Sequence, residues 1–207
     1  MKRLALVICI LAITYPISAD ALVGISMGAK VGVAQYNGEV LPGSGDVGGG
    51  TQWGFLVGFG ALPVVDLEFR ANYFSKEFNY TYDALGTPIA TSFKFEDASA
   101  IALLKANVFS PPGAPFGFYV GAGAGFHWLN TELAVALAQG VAPPSSVNNL
   151  VPFLETTAKP SGIGLVGLRV SAPAFPLAVF GEASYERIFA TEKVNVTQVS
   201  MGLVLQF

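Results

Sequence analysis

The sequence predicts an all-β fold, an eight-stranded antiparallel up-and-down barrel that crosses a membrane, and three observations predict it. The 207-residue chain is 52% hydrophobic and only 12% charged, with a mean hydropathy of +0.54, where an ordinary soluble domain carries roughly 25% charged residues. Past residue 20 it contains no unbroken apolar run of the roughly 18 residues that a spanning helix requires. Instead, side chains alternate with period two in segments bounded by breaks rich in Gly, Pro, Asn, Asp and Ser.

The first element is not part of the barrel. Lys2-Arg3, the apolar stretch Leu4 to Ile13 and the small residues Ser18-Ala19 have the order of a secretory signal peptide, which predicts a signal segment over 1–19 and a mature chain over 20–207. The single cysteine, Cys9, falls inside the signal, so the exported chain has no thiol and no disulfide. Without Lys2 and Arg3, nine basic residues stand against 14 acidic ones, a net charge near −5. That balance leaves no basic surface for nucleic acid.

Eight strands follow. The first sets Val23, Ile25, Met27, Ala29, Val31 and Val33 against Ser26, Gly28, Lys30, Gly32 and Ala34. The second opposes Trp53, Phe55, Val57 and Phe59 to Gln52, Gly54, Leu56 and Gly58. The third has the cleanest alternation, with Val65, Leu67, Phe69, Ala71 and Tyr73 against Asp66, Glu68, Arg70 and Asn72. The fourth opposes Ala102, Leu104, Ala106 and Val108 to Leu103, Lys105 and Asn107. In the fifth, Phe118, Val120, Ala122, Ala124, Phe126 and Trp128 face away from a row of glycines that ends in His127. The sixth, Gly162 to Val170, is apolar on both faces, and Arg169 places Gly167, Leu165 and Ile163 on its own side. The seventh opposes Leu177, Val179, Gly181, Ala183 and Tyr185 to Phe180, Glu182, Ser184 and Glu186. The last opposes Val199, Met201, Leu203, Leu205 and Phe207 to Ser200, Gly202, Val204 and Gln206.

The breaks alternate in length. Gly60 to Pro63, Ser110 to Pro115 and Ser171 to Pro176 are short, whereas Asn37 to Gly50, Asn79 to Ser92 and Asn130 to Ser161 are long. Short turns at one end and long loops at the other are the layout of a transmembrane barrel, with periplasmic turns and extracellular loops. A soluble lipocalin-like barrel would fill its lumen with the apolar face. Here the charged face is also the glycine face, which suits a narrow lumen, and the aromatic face suits lipid.

The C-terminal strand Val199-Ser-Met-Gly-Leu-Val-Leu-Gln-Phe207, Val64 to Tyr73 and Phe118 to Phe126 together resemble the small outer-membrane β-barrel proteins of Gram-negative bacteria, of the OmpA-barrel and OmpX type in the porin family. The resemblance covers residues 20–207 and implies a bacterial outer-membrane location. It implies outer-membrane lipid and lipopolysaccharide as surroundings, and a C-terminal assembly signal, Val199, Met201, Leu203, Leu205 and Phe207, read by the barrel-assembly machinery. The expected function is a monomeric structural or surface-interaction barrel, with extracellular loops as the interaction surface. The alternatives are a narrow passive channel for small or hydrophobic solutes, similar to OmpW, and, further off, an outer-membrane lipid-modifying enzyme.

Candidate chemistry gathers on the lumen face. Lys30, Arg70, Lys105 and Arg169 face Asp66, Glu68, Glu182 and Glu186, a balanced set that predicts an ion-pair network closing the lumen, since unpaired charges in a narrow interior are costly. His127 is the only histidine, and no His-x-Ser accompanies it, so it is expected as an interior residue near the outer rim and not as a catalytic base. One histidine without cysteine leaves no metal set, and no cofactor is expected. The glycine run Gly43 to Gly50 lacks the Lys-Ser/Thr of a phosphate loop. Thr131 to Gln139 has helix-favouring composition, and with Leu133, Val135, Leu137, Val151, Phe153 and Leu154 the 129–161 segment reads as a loop for an extracellular partner.

Overall fold

A computed structural model describes residues 24–39, 46–62, 65–84, 87–111, 115–134, 157–172, 175–190 and 193–207. The expected signal segment, and most of the long loops, lie outside the described residues. Eight strands run β1 (Ile25–Glu39), β2 (Asp46–Leu62), β3 (Val65–Ala84), β4 (Thr87–Phe109), β5 (Phe116–Ala134), β6 (Thr157–Ser171), β7 (Leu177–Phe189) and β8 (Lys193–Gln206). Each pairs antiparallel with its sequence neighbour, and β1 pairs with β8 to close the barrel. Closure leaves no strand edge, so every strand finds its backbone partners within the wall, as hydrocarbon surroundings require.

The register fixes the barrel's dimensions. Following paired residues from Ser26 through Gly58, Glu68, Leu103, Gly123, Ile163, Glu186 and Val196 returns to β1 at Tyr36, ten residues further along the same strand. A shear of ten over eight strands, with a rise of about 3.3 Å per residue and about 4.8 Å between strands, tilts the strands by roughly 40°. The interior is therefore narrow enough for side chains to fill. Glycines allow neighbouring strands to approach closely: a Cβ on Gly123 would sit 2.0 Å from the Ala102 carbonyl oxygen, and one on Gly32 2.3 Å from that of Val199.

The outer wall is the apolar face. Val33, Phe55, Leu104, Phe126, Val166, Val199 and Met201 are all more than half exposed, which in water would be an aggregation surface and in lipid is the proper solvent contact. Trp53, Tyr73, Trp128 and Tyr185 stand toward the long-loop end, and Phe109, Phe116, Phe118 and Phe207 toward the short-turn end. These are the two aromatic girdles of an interfacial belt.

Two local expectations are corrected. The break over 79–92 is mostly strand, because β3 and β4 continue as a paired hairpin up to Asp83↔Pro88 and Ala84↔Thr87. Tyr80-Thr81-Tyr82 and Thr91 carry the aromatic and β-branched composition that favours a strand. Likewise Thr131–Ala134, expected to open a helix, continues β5 in register with β4, Thr131 opposite Phe95 and Ala134 opposite Ser92. An available ladder edge outweighs helix propensity there; residues 135–139 lie outside the described residues.

Candidate functional site: the layered lumen

The inward side chains form levels, read from the short-turn end. At the mouth is a cavity of about 130 Å³ lined by Ser26, Gly58, Asp66, Arg169 and Gln206 and floored by Glu68 and Lys105. Arg169 Nη2 reaches Asp66 Oδ2 at 3.1 Å, both half-buried.

Above it lies the charged level. Arg70 from β3 donates through Nε to Glu68 at 2.5 Å and through Nη2 to Glu182 of β7 at 2.7 Å. Lys105 from β4 joins the same two carboxylates, at 3.0 Å to Glu68 Oε2 and 3.1 Å to Glu182 Oε1. Tyr119 of β5 donates its hydroxyl to Glu182 at 2.7 Å, and its ring lies 4.2 Å from the Lys105 ammonium. Two cations and two anions thus share one desolvated level, each carboxylate touched by both bases. Apolar side chains flank it: Ile101, Leu103, Ile163 and Leu165 on one side, Leu56, Phe180 and Val204 on the other.

The next level is built around the histidine. His127 of β5 places Nδ1 2.8 Å from Asp97 Oδ2 of β4 and Nε2 2.7 Å from Glu186 Oε1 of β7. Tyr36 of β1 donates to Asp97 at 2.6 Å and Ser161 of β6 donates to Glu186 at 2.6 Å. An apolar level closes the outer end, where Tyr36, Phe74, Phe95, Val47, Ile188, Val194 and Val196 are 0–3% exposed. Tyr36 stacks there at 4.4 Å from Phe74 and 5.4 Å from Phe95, measured between ring centroids.

Of the expected ion-pair set, the structure brings Asp66, Glu68, Arg70, Lys105, Arg169 and Glu182 into pairs. One member, Lys30, is corrected, and another, Glu186, pairs with a residue outside the set. Lys30 makes no ion pair among the described residues; its ammonium meets Gln198 Oε1 at 3.5 Å, because Glu68 and Glu182, the carboxylates of the charged level, are already held by Arg70 and Lys105. Glu186 pairs with His127 and not with a lysine or arginine, since it stands one level further along β7 than Glu182. Asp97 and Tyr36 were not in the expected set. Extending the outward Ala98-x-Ala100-x-Ala102 alternation backward along β4 would have placed Asp97 inside. No metal-binding group of three or more His, Cys, Asp or Glu occurs among the described residues.

An apolar belt outside, stacked charged, polar and apolar levels inside, and short turns at one end define an eight-stranded transmembrane barrel of the bacterial outer-membrane type. No protein-family model matches the chain, and no curated protein is similar to it in sequence. Its fold is similar to that of Neisserial surface protein A, with a TM-score of 0.57 and 14% identity over 88% of this chain and 97% of that one. It is also similar to the outer membrane protein OprG from Pseudomonas aeruginosa, with a TM-score of 0.51 and 16% identity over 90% of this chain and 96% of that one.

Proposed function

We propose that the protein is a closed, non-catalytic outer-membrane cylinder, a rigid monomeric scaffold that presents its long loops outside the cell, foremost the connection between β5 and β6 within the 129–161 segment as a surface for an extracellular partner. The observation that carries this reading is the charged level, in which Arg70, Lys105, Glu68 and Glu182 occupy the lumen as mutually paired and buried groups. The apolar level above supports it further. Opening the lumen means separating charges in a low-dielectric interior, and breaking a buried pair costs about 3–5 kcal/mol.

A catalytic reading has little support. Ser161 donates to Glu186, both ring nitrogens of His127 are taken by carboxylates, and the histidine side chain is 1% exposed; a serine nucleophile needs its hydroxyl on the base and open to substrate. In the same proposal residues 1–19 are a signal removed on export. The outward row Val199, Met201, Leu203, Leu205 and Phe207 serves as the assembly signal read by the barrel-assembly machinery, with lipopolysaccharide and lipid as the wall's surroundings.

Single-channel recording of the refolded protein in a planar bilayer, with heat-modified gel mobility as proof of folding, tests the proposal. A folded, silent protein is expected. Discrete openings whose size changes on Arg70→Ala or Glu182→Ala would overturn it in favour of a narrow channel.

A further inference from the structure

We propose that His127 is held as the doubly protonated imidazolium and acts as a proton-dependent latch that ties β4 to β7 across the outer lumen. The donors and acceptors around the ring require the second proton. Nδ1 lies 3.0 and 2.8 Å from the two oxygens of Asp97, and Nε2 lies 2.7 Å from Glu186 Oε1. A neutral imidazole has one N–H, so one of these contacts would set a ring lone pair against a carboxylate. The oxygens concerned also accept hydroxyl protons, Asp97 Oδ2 from Tyr36 and Glu186 Oε1 from Ser161. Oxygens that each accept two hydrogen bonds are placed as ionised carboxylates.

The surroundings contain no other cation within ion-pair distance of either carboxylate among the described residues. Around the ring, β1 contributes the Tyr36 phenol and, lower down, Lys30, whose ammonium is on Gln198 of β8. From β2 comes Gln52, and from β3 Asn72 and Phe74, while Arg70 is spent on Glu68 and Glu182. β4 contributes Asp97 and Ser99, β6 Ser161 and Lys159, the latter Cα partner of His127, and β7 Glu186. β8 presents Val194, Val196 and Gln198. The proton on His127 therefore separates two buried anions. Its loss leaves them facing a neutral ring with one donor, so base releases the latch.

The chain has one histidine, which makes the test unambiguous. Tag-free protein labelled with 15N-histidine and refolded in detergent is recorded by NMR at pH 8, where a free histidine, of pKa about 6.5, is neutral. Two protonated, imidazolium-type ring nitrogens are expected. One protonated and one bare nitrogen would overturn the proposal. The latch itself is read from the urea midpoint against pH: the parent loses stability on the alkaline side as the imidazolium signal disappears, and His127→Gln lacks that loss. An equal alkaline loss in both would refute the latch, and the NMR measurement on the parent decides the protonation state even where the variant fails to refold.

Discussion

Arg70 divides its guanidinium between carboxylates from its own strand and from β7, 112 positions away in the chain. Arg70→Met therefore leaves two buried anions to share the single cation of Lys105, and Glu182→Leu deprives two cations of a shared partner; each is expected to cost about 3–5 kcal/mol, measured as the urea midpoint in detergent. Replacing Arg70, Lys105, Glu68 and Glu182 together by apolar residues of similar volume is expected to recover most of that loss, because the desolvation penalty goes with the charges. On the outer surface the balance is different. Glu96 stands above the aromatic girdle, bound to Lys94 at 2.7 Å and accepting the Tyr73 hydroxyl at 2.6 Å; the Lys94 contact chiefly, then the tyrosine's, holds its carboxyl below the usual value. A carboxyl lowered in the folded state contributes stability above its unfolded pKa and loses it as pH falls through the folded one. Protection factors of the amides in the outer part of β4, corrected for the intrinsic exchange rate at each pH, should thus fall on acidification, and Glu96→Gln should remove that dependence. At this scale the facing of charges was legible in the sequence and their partners were not. Alternation tells inside from outside, whereas Lys30's lack of a carboxylate and Glu186's pairing with His127 follow from a ten-residue stagger that no single strand displays.

Strands were the most legible level, because period two is a local signal and seven of the eight carry it plainly, the sixth being apolar on both faces with only Arg169 to orient it. Boundaries were less so: β3 and β4 outrun their apolar alternation as a hairpin, where pairing continues without a membrane face to pattern it. The glycines of β5 are where element and lumen meet. Gly123→Ala places a methyl into backbone, 2.0 Å from the Ala102 carbonyl oxygen and 2.9 Å from the Leu103 Cα, with no side chain at those atoms free to turn aside. Loss of the heat-modifiable folded band on refolding is expected. Gly164→Ala, on the outward face with nothing within 4 Å of a Cβ, should refold like the parent.

For the whole molecule, the wall is the determinant. Met201, 66% exposed and midway along the outward row of β8, is a place where arginine should cost about 2–4 kcal/mol, the depth-dependent penalty of a charge facing the bilayer's centre. The same substitution at Thr197, higher on that row, should cost less, and a denaturant series on both in lipid vesicles separates depth from side-chain size. Fold class was readable at this scale because a hydrophobic chain without hydrophobic helices has few ways to satisfy its backbone in a membrane. The ligand or partner was not, since it belongs to loops whose residues obey no period.

The seam between β1 and β8 has a kinetic meaning. It pairs Ser26 with Gln206, separated by almost the whole described chain, while Tyr36 of β1 reaches Asp97 of β4, and Arg70 of β3 reaches Glu182 of β7. Hairpins can form early and cheaply, but the contacts that fill the lumen span strands that meet only when the cylinder curls shut. Its interior is a lock thrown last, so folding should end in a single concerted step in which tightness to solutes and resistance to denaturant arrive together.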